Sequence, residues 1–321
     1  MNLPQRRLGP WNVSAMGLGC MPMSGLPSVR AGIVEDREGA IKVIHTALDA
    51  GITLLDTADI YAPSWTTFGH NERLVGEAFR SWSGSAEQKS KVVIASKNGI
   101  TRGPNESWGR AATRDYFLRA AEASALRLGV ERIQLWQHHR LDPTVPFEVQ
   151  FENVLVLLER GLVERIGVSN YSAEQLRRAI KLGGTPSEGG VISIQNQYSP
   201  RYRNDSDVFK VCEEFGIAFL PWSPLGGVKR SSELGEGSFG PFEEIGKTKG
   251  VSAYATAIAW LLHTSPNMIP IPGATRATSV LDSLQGISIS LSQSEMKFLN
   301  DHLLQDSPLD AELVDQPVFL T

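Results

Sequence analysis

The feature that most constrains the fold is a regular alternation of short apolar runs with longer amphipathic stretches along all 321 residues. Each run has the length and apolar content of a buried strand. Eight such runs are present: Ser14–Cys20, Thr53–Asp56, Lys91–Lys97, Ile133–His139, Glu164–Val168, Val191–Gln195, Ala218–Trp222 and Met268–Ile271.

A helical pattern follows each run, with apolar residues recurring at intervals of three and four. The predicted helices are Glu38–Asp49, Asn71–Trp82, Thr113–Leu128, Phe147–Glu159, Ala173–Leu182, Asp205–Phe215, Ala253–His263 and Thr278–Leu284. Eight strand–helix units without a break in composition predict an α/β fold, a (β/α)8 TIM barrel, rather than two Rossmann halves. We therefore expect residues 1–321 to form one domain.

Some segments lie outside this repeat. Residues Arg6–Ser14 are typical of a small N-terminal hairpin that caps the opposite end of the barrel from the site. Asn98–Ala112 and Ser223–Gly250 are expected to be long irregular loops at the C-terminal face, where such loops often act as lids. A last helical pattern, Ser292–Leu304, precedes an acidic C-terminal tail at 305–321.

Composition narrows the class of protein. A net charge of −4 argues against a nucleic-acid partner. Cys20 and Cys212 are too few for a disulfide framework and suit a reducing compartment. No apolar secretory segment follows Arg6 and Arg7, and the longest apolar helical stretch, Ala253–Leu262, is too short to span a bilayer. We expect a cytoplasmic enzyme without a membrane partner, and the sequence predicts no particular oligomeric state.

Four chemically useful side chains lie at or just after predicted strand ends: Asp56, Tyr61, Lys97 and His139. In a parallel barrel all such ends meet on one face, so these residues are expected to share one pocket. The ordinary pKa of a tyrosine is about 10. An ammonium about 4 Å away, at an effective dielectric near 20, contributes about 4 kcal/mol. We therefore expect Lys97, held by Asp56, to lower the pKa of Tyr61.

Each of these residues alone has a plainer interpretation, because tyrosines near strand ends often pack and strand-end lysines are often solvated. The surrounding segments decide between the alternatives. The chain resembles the aldo-keto reductase superfamily over nearly its whole length, and the family's Asp–Tyr–Lys–His tetrad falls on the four residues above. Five segments carry the resemblance: Gly51–Ala58, Asn71–Gly76, His139–Pro143, Gly167–Ser172 and Ile269–Gly273.

The resemblance implies reduction of an aldehyde, ketone or keto-sugar by a nicotinamide cofactor, with NADPH preferred and NADH possible. Tyr61 would give a proton to the carbonyl oxygen, and His139 would orient that oxygen. Adjacent strand residues point to opposite sides, so only one histidine of the pair can face the barrel mouth. The family pattern selects His139, which leaves His138 a structural role, and no grouped ligands predict a metal site.

The resemblance also implies the cofactor contacts. Ser169, Asn170 and Gln195 are similar to the family's carboxamide clamp, although Asn170 or Ser172 could instead cap the following helix. Trp222 stands where relatives stack an aromatic ring on the nicotinamide, with a core tryptophan as the alternative. The other expected contacts are Gly19, Cys20, Met21, Asp56, Ser223, Pro224, Leu225, Gly226, Ile271, Pro272 and Gly273.

Recognition of the phosphates and the adenine is expected at two places. Gly235–Gly240 fits G-x-G-x-x-G but neither follows a strand nor opens a helix, so it is either a chance match or a loop over the pyrophosphate. Arg276 is the candidate for the 2′-phosphate, because a guanidinium matches phosphate geometry. Four further contacts are implied nearby: Thr275, Ser279, Asp282 and Ser283.

The substrate is expected to meet an apolar, aromatic mouth. Its residues are Met21, Tyr61, Trp65, Trp108 and His139, with Trp222 beside them. Trp65 and Trp108 have an equally good alternative as loop anchors. Two other functions remain open: a cofactor-binding sensor resembling the potassium-channel β subunits, and a hydrolase barrel that uses metal or carboxylates.

Overall fold

The computed structural model describes residues 3–24, 36–227 and 240–303. Two strands near the beginning of the chain, β1 (Gln5–Leu8) and β2 (Trp11–Ser14), pair antiparallel as the predicted hairpin. Gly9 lies in its turn with φ +55°, and a Cβ there would be 2.7 Å from a side-chain carbon of Ile192. Leu8 and Val13 join the apolar cluster inside the sheet, so the hairpin plugs one end.

Seven parallel strands form the central sheet, and each carries one of the first seven apolar runs of the sequence. Their bounds are β3 (Leu18–Gly19), β4 (Leu54–Asp56), β5 (Val93–Asn98), β8 (Ile133–His138), β9 (Val163–Ser169), β10 (Val191–Gln195) and β11 (Ala218–Phe219). Their spatial order in the sheet is β11-β10-β9-β8-β5-β4-β3.

The eighth apolar run closes the sheet without forming a regular strand. Its segment 267–273 pairs with β11 through the Ile269 N–H, which donates to the Phe219 carbonyl at 2.8 Å. On the other side, the carbonyls of Pro270 and Pro272 accept from backbone N–H groups of the β3 region at 2.9 and 3.0 Å. Because Pro270 and Pro272 have no backbone N–H, they cannot donate hydrogen bonds back to the β3 region, and only half of the usual inter-strand hydrogen bonds form here. The predicted (β/α)8 barrel is confirmed, with this difference in its last strand.

Eleven α-helices are present in the described residues, and eight of them correspond to the predicted amphipathic stretches within one or two residues. They are α1 (Arg37–Asp49), α2 (His70–Ser81), α3 (Ala86–Ser90), α4 (Arg114–Leu128), α5 (Phe147–Glu159), α6 (Ala173–Gly183), α7 (Ser206–Phe215), α8 (Gly240–Lys249), α9 (Ala253–Thr264), α10 (Ala277–Gln285) and α11 (Gln293–Asp301). The helix α11 ends before the predicted Leu304, which lies outside the described residues.

Both long loops were predicted wrongly in part. The stretch Asn98–Ala112 contains an antiparallel hairpin of β6 (Ile100–Gly103) and β7 (Ser107–Arg110). The stretch Ser223–Gly250 includes α8, whose residues Phe242 and Ile245 are buried and hold it on the core. Residues 228–239 of that stretch, with most of the Gly235–Gly240 motif, lie outside the described residues, as does the tail 305–321.

Candidate active site

A buried ion pair joins the ends of two neighbouring strands. Asp56 ends β4 and Lys97 lies one residue before the end of β5, in strands paired with each other. The Lys97 ammonium donates to Asp56 Oδ1 at 2.6 Å and to the Thr57 carbonyl at 2.8 Å. Burial alone would lower the pKa of Lys97, but the Asp56 carboxylate and then the Tyr61 phenol raise it above its ordinary value. Lys97 is therefore a cation at neutral pH.

Tyr61 lies directly beside this pair. Its ring centroid is 5.1 Å from Lys97 Nζ and 6.0 Å from the His139 ring, which meets it edge-on at 85°. Burial raises the pKa of Tyr61, and Lys97 lowers it by less than that. The expectation of an unusually acidic phenol is wrong for this arrangement, because desolvation outweighs the neighbouring cation.

The two adjacent histidines have the separate surroundings that the sequence predicts. His139 is buried at the strand end, and its Nδ1 has no hydrogen-bond partner among the described residues. Burial, followed by the charges of Lys97, Arg140 and Arg110, lowers its pKa well below the ordinary value, so the ring is neutral. His138 points into the helical layer, where its Nδ1 lies 2.8 Å from the Tyr171 hydroxyl.

Two glutamine side chains hold the other oxygen of Asp56. Gln195, which ends β10, donates from Nε2 to Asp56 Oδ2 at 2.8 Å. Gln137 donates to the same oxygen at 3.3 Å, and its Oε1 accepts from Gln195 at 3.4 Å. Sequence reasoning missed Gln137, although it lies on β8 two residues before His139, which directly follows the strand, so both side chains face the same side.

The expected carboxamide residues form one hydrogen-bonded group. Asn170 donates from Nδ2 to Ser169 Oγ at 2.9 Å and accepts from Trp222 Nε1 at 3.0 Å. Ser169 Oγ in turn donates to the Gln195 carbonyl at 2.7 Å. Asn170 has φ +59°, a left-handed conformation that asparagine tolerates. The cap of α6 is Ser172, so the alternative role of Asn170 as a helix cap is excluded.

The predicted contacts of the first and last strands also meet at this face. Gly19 bridges Gly273, and a Cβ on Gly19 would be 2.7 Å from the Ile271 carbonyl, so the strands approach too closely for a side chain. The Cys20 backbone N–H donates to the Asp56 carbonyl at 2.9 Å. Cys20 is fully buried, and its carbonyl accepts from Asn71 at 2.8 Å, so of these two residues only the partly exposed Met21 presents a surface for contacts.

After β11 the chain makes a tight turn beside Trp222. The Gly226 N–H donates to the Ser223 carbonyl at 2.9 Å, and both residues have positive φ, 87° and 50°. Leu225 packs against the core and Pro224 is buried. This turn directly follows Trp222, whose Nε1 donates to Asn170, and the role of residues 223–226 as cofactor contacts stays a prediction.

The candidate phosphate residues lie at the beginning of α10. Arg276 is the exposed N-cap residue, and its side chain makes no capping hydrogen bond. The Ser279 N–H donates to the Arg276 carbonyl at 3.1 Å, so only the N–H groups before it, those of Ala277 and Thr278, lack a partner within the helix. Thr275 is exposed and Ser279 partly so. Asp282 accepts from Ser252 Oγ at 2.7 Å, and Ser283 is buried, so these two are already engaged with the fold.

The aromatic residues expected at the mouth differ in their surroundings. Trp108 on β7 packs with Tyr61 against the apolar cluster of Ala58, Ile60 and Ile100. Trp65 is 39% exposed, and its backbone N–H donates to the Glu106 side chain at 3.2 Å.

Sequence reasoning missed two cations near His139, which are Arg110 and Arg140. Burial and then the charge of Arg110 lower the pKa of Arg140 to about 10.

Two wider properties of the described residues bear on function. No group of three or more His, Cys, Asp or Glu side chains among residues 3–24, 36–227 and 240–303 is arranged to hold a metal ion. In the same part of the chain, every helix is too short or too polar to cross a membrane.

The family model described as Aldo/keto reductase family matches residues 15–303. An uncharacterized oxidoreductase of Schizosaccharomyces pombe, C215.11c, is 30% identical over 301 residues, which are 92% of this chain and 88% of that protein.

Solved structures of the same fold are similar along almost their entire length. The thermostable aldo-keto reductase Tm1743, in complex with the inhibitor epalrestat, is 27% identical with a TM-score of 0.74, covering 94% of this chain and all of that one. An aldo-keto reductase from Klebsiella pneumoniae, in complex with NADPH, is 22% identical with a TM-score of 0.76, covering 96% of this chain and 98% of that one.

Proposed function

This chain belongs to the aldo/keto reductase family, as its sequence predicts, and we propose that it reduces an aldehyde, ketone or keto-sugar with NADPH. Its oxidoreductase class follows from the family. The substrate class, the role of Tyr61 as general acid and the individual contacts are our proposal. A cytoplasmic location stays a prediction.

The observation that carries the proposal is the buried Lys97 ammonium between the Asp56 carboxylate and the Tyr61 ring. Fully burying a cation costs several kcal/mol unless a partner compensates for it. An ammonium held in this way beside a phenol and a neutral imidazole suits proton donation to an oxygen. The same three groups would be a costly choice for packing alone.

The proton chemistry is assigned to Tyr61. Because its pKa is raised, the phenol keeps its proton throughout the physiological range. A developing alkoxide is far more basic than a phenolate, so transfer from Tyr61 to the carbonyl oxygen is favourable. Lys97 stabilises the phenolate left behind, and His139, neutral and buried, donates a hydrogen bond that orients the oxygen.

The residues present fit a nicotinamide dinucleotide. Bound NADPH supplies the hydride. Asn170 and Gln195 have amide groups suited to a carboxamide, and Trp222 offers a partly exposed ring beside Asn170. At the other end, Arg276 provides a positive charge, and the N–H groups of Ala277 and Thr278 at the start of α10 lack a side-chain cap, which suits a phosphate. The Klebsiella pneumoniae relative with NADPH supports this choice.

The test is a turnover assay with NADPH and NADH against a panel of aliphatic, aromatic and sugar-derived carbonyl compounds. We expect loss of reduced-nicotinamide absorbance with at least one class, faster with NADPH. Tight NADPH binding without oxidation by any compound would contradict the proposal and favour the cofactor-binding sensor instead.

Replacing Tyr61 by phenylalanine tests the proton donor. Removal of a general acid typically costs ~10²–10⁴ in rate, so kcat is expected to fall by that range while NADPH affinity is unchanged. The matched control is Tyr116→Phe. Tyr116 lies in α4, outside the site, and its hydroxyl donates to the Ile100 carbonyl. Full activity in Tyr61→Phe would refute the assignment.

A further inference from the structure

A closed triangle of hydrogen bonds lies behind the reacting residues. Asp56 Oδ2 accepts from Gln195 at 2.8 Å and from Gln137 at 3.3 Å, and Gln137 Oε1 accepts from Gln195 at 3.4 Å. All three residues are buried. Because a carboxylate can only accept, the amide nitrogen of each glutamine must face Asp56.

The triangle joins two parts of the site. Asp56 Oδ1 holds Lys97, which lies beside Tyr61, while Gln195 belongs to the residues proposed to hold the cofactor. Gln137 touches both and lies behind the reacting groups. Without it, Asp56 Oδ2 would keep one donor, and Gln195 would lose a neighbour that fixes its amide plane.

Gln137 is closely packed by the neighbouring strand. On the neighbouring strand β9, Gly167 is paired with Gln137, and a Cβ on Gly167 would be 3.2 Å from Gln137 Cγ. The same Cβ would also meet Ser193 Oγ at 2.1 Å. A side chain at position 167 would therefore collide with Ser193 and press on Gln137, so glycine here keeps the surroundings of Gln137 undisturbed.

We propose that Gln137 is a positioning residue for carbonyl reduction, which holds Asp56 and Gln195 in register so that Lys97 stays directed at Tyr61. This inference rests on the function proposed above. The Gln137 amide stabilises part of the Asp56 charge, so more of the electrostatic effect of Lys97 acts on the Tyr61 phenol. Without that amide, Asp56 attracts Lys97 more strongly and Tyr61 becomes a weaker acid.

The test uses Gln137→Leu and Gln137→Glu in the full chain with NADPH and a carbonyl compound that the wild type reduces. For Gln137→Leu we expect kcat to fall about tenfold, the usual scale for one hydrogen bond to a charged group. The KM for the carbonyl compound should change little, because Gln137 does not line the mouth.

The second variant gives a signature that a packing role would not produce. In Gln137→Glu the introduced carboxyl repels Asp56 when ionised and donates a hydrogen bond to it when protonated. Activity should therefore be low at alkaline pH and recover towards the wild-type value as the pH falls. The other titratable and charged groups near Asp56 and Tyr61 are common to both proteins: Cys20, Asp59, Lys97, His139 and Arg140.

The control is Gln134→Leu on the same strand. The Gln134 side chain donates to the Val92 carbonyl and accepts from the Ile94 N–H, both outside the site. It should lower thermal stability and leave kcat and the pH profile unchanged. If Gln137→Leu and Gln137→Glu both match the wild type in kcat and pH profile, the inference is overturned. If the wild type reduces no carbonyl compound, the proposed function itself fails, which is a separate result.

Discussion

At the scale of single residues, burial decides the acid–base character of the site more than the neighbouring charges do. It raises the pKa of Tyr61 despite Lys97 and lowers the pKa of His139, in the same direction as the surrounding cations. Both groups consequently stay neutral over a wide pH range. A neutral phenol and a neutral imidazole are both hydrogen-bond donors, which suits binding of a carbonyl oxygen.

The pH dependence of reduction follows from these directions. A raised pKa keeps Tyr61 protonated until the pH exceeds its ordinary value of about 10, and a lowered pKa keeps His139 neutral below its ordinary value of about 6.5. We therefore expect kcat/KM to be constant between about pH 6.5 and about pH 10. Circular dichroism over the same pH range checks that the protein stays folded. An acid limb near pH ~6.5 that disappears in His139→Gln would contradict this account.

At the scale of elements, the hairpin of β1 and β2 is anchored to the last turn of α9. The Arg6 guanidinium donates to the carbonyls of Leu262 and Ser265, both at 2.7 Å. These carbonyls lie where a helix end lacks intrahelical partners, so Arg6 satisfies them and complements the helix dipole. Arg7, the next residue, is exposed, and among the described residues its side chain hydrogen-bonds only to Asn12, at 3.5 Å.

This contrast gives a stability prediction. Arg6→Ala should lower the free energy of unfolding by about 1–3 kcal/mol, because two buried carbonyl groups lose a charged donor. Arg7→Ala is the control, with an expected change within about 0.5 kcal/mol. Thermal and urea unfolding measure both. Equal effects of the two substitutions would show that the anchor does not stabilise the hairpin.

At the scale of the whole molecule, periodicity predicted most of the barrel, because each helix and strand buries one regular face. It failed where local sequence does not decide the structure. The last apolar run does not form a regular strand, because Pro270 and Pro272 cannot donate backbone hydrogen bonds. The strands β6 and β7 and the helix α8 were not predicted, because the periodicity of their segments is weak.

The site was predictable to the extent that strand ends must converge. The relation of Asp56, Tyr61, Lys97 and His139 follows from topology and from the family resemblance. The pKa of Tyr61 could not be predicted from spacing, because desolvation depends on atoms contributed by many elements. Gln137 was missed for a related reason, since its partners lie 81 and 58 positions away along the chain.

The most direct test of the central claim follows the hydride and the proton donor together. Wild type and Tyr61→Phe are incubated with NADPH carrying deuterium at the transferred position, and the alcohol product is analysed by mass spectrometry. We predict one deuterium on the former carbonyl carbon with the wild type and almost no product with Tyr61→Phe. Substrate loss without deuterium in the product, or equal product from both proteins, would contradict the account.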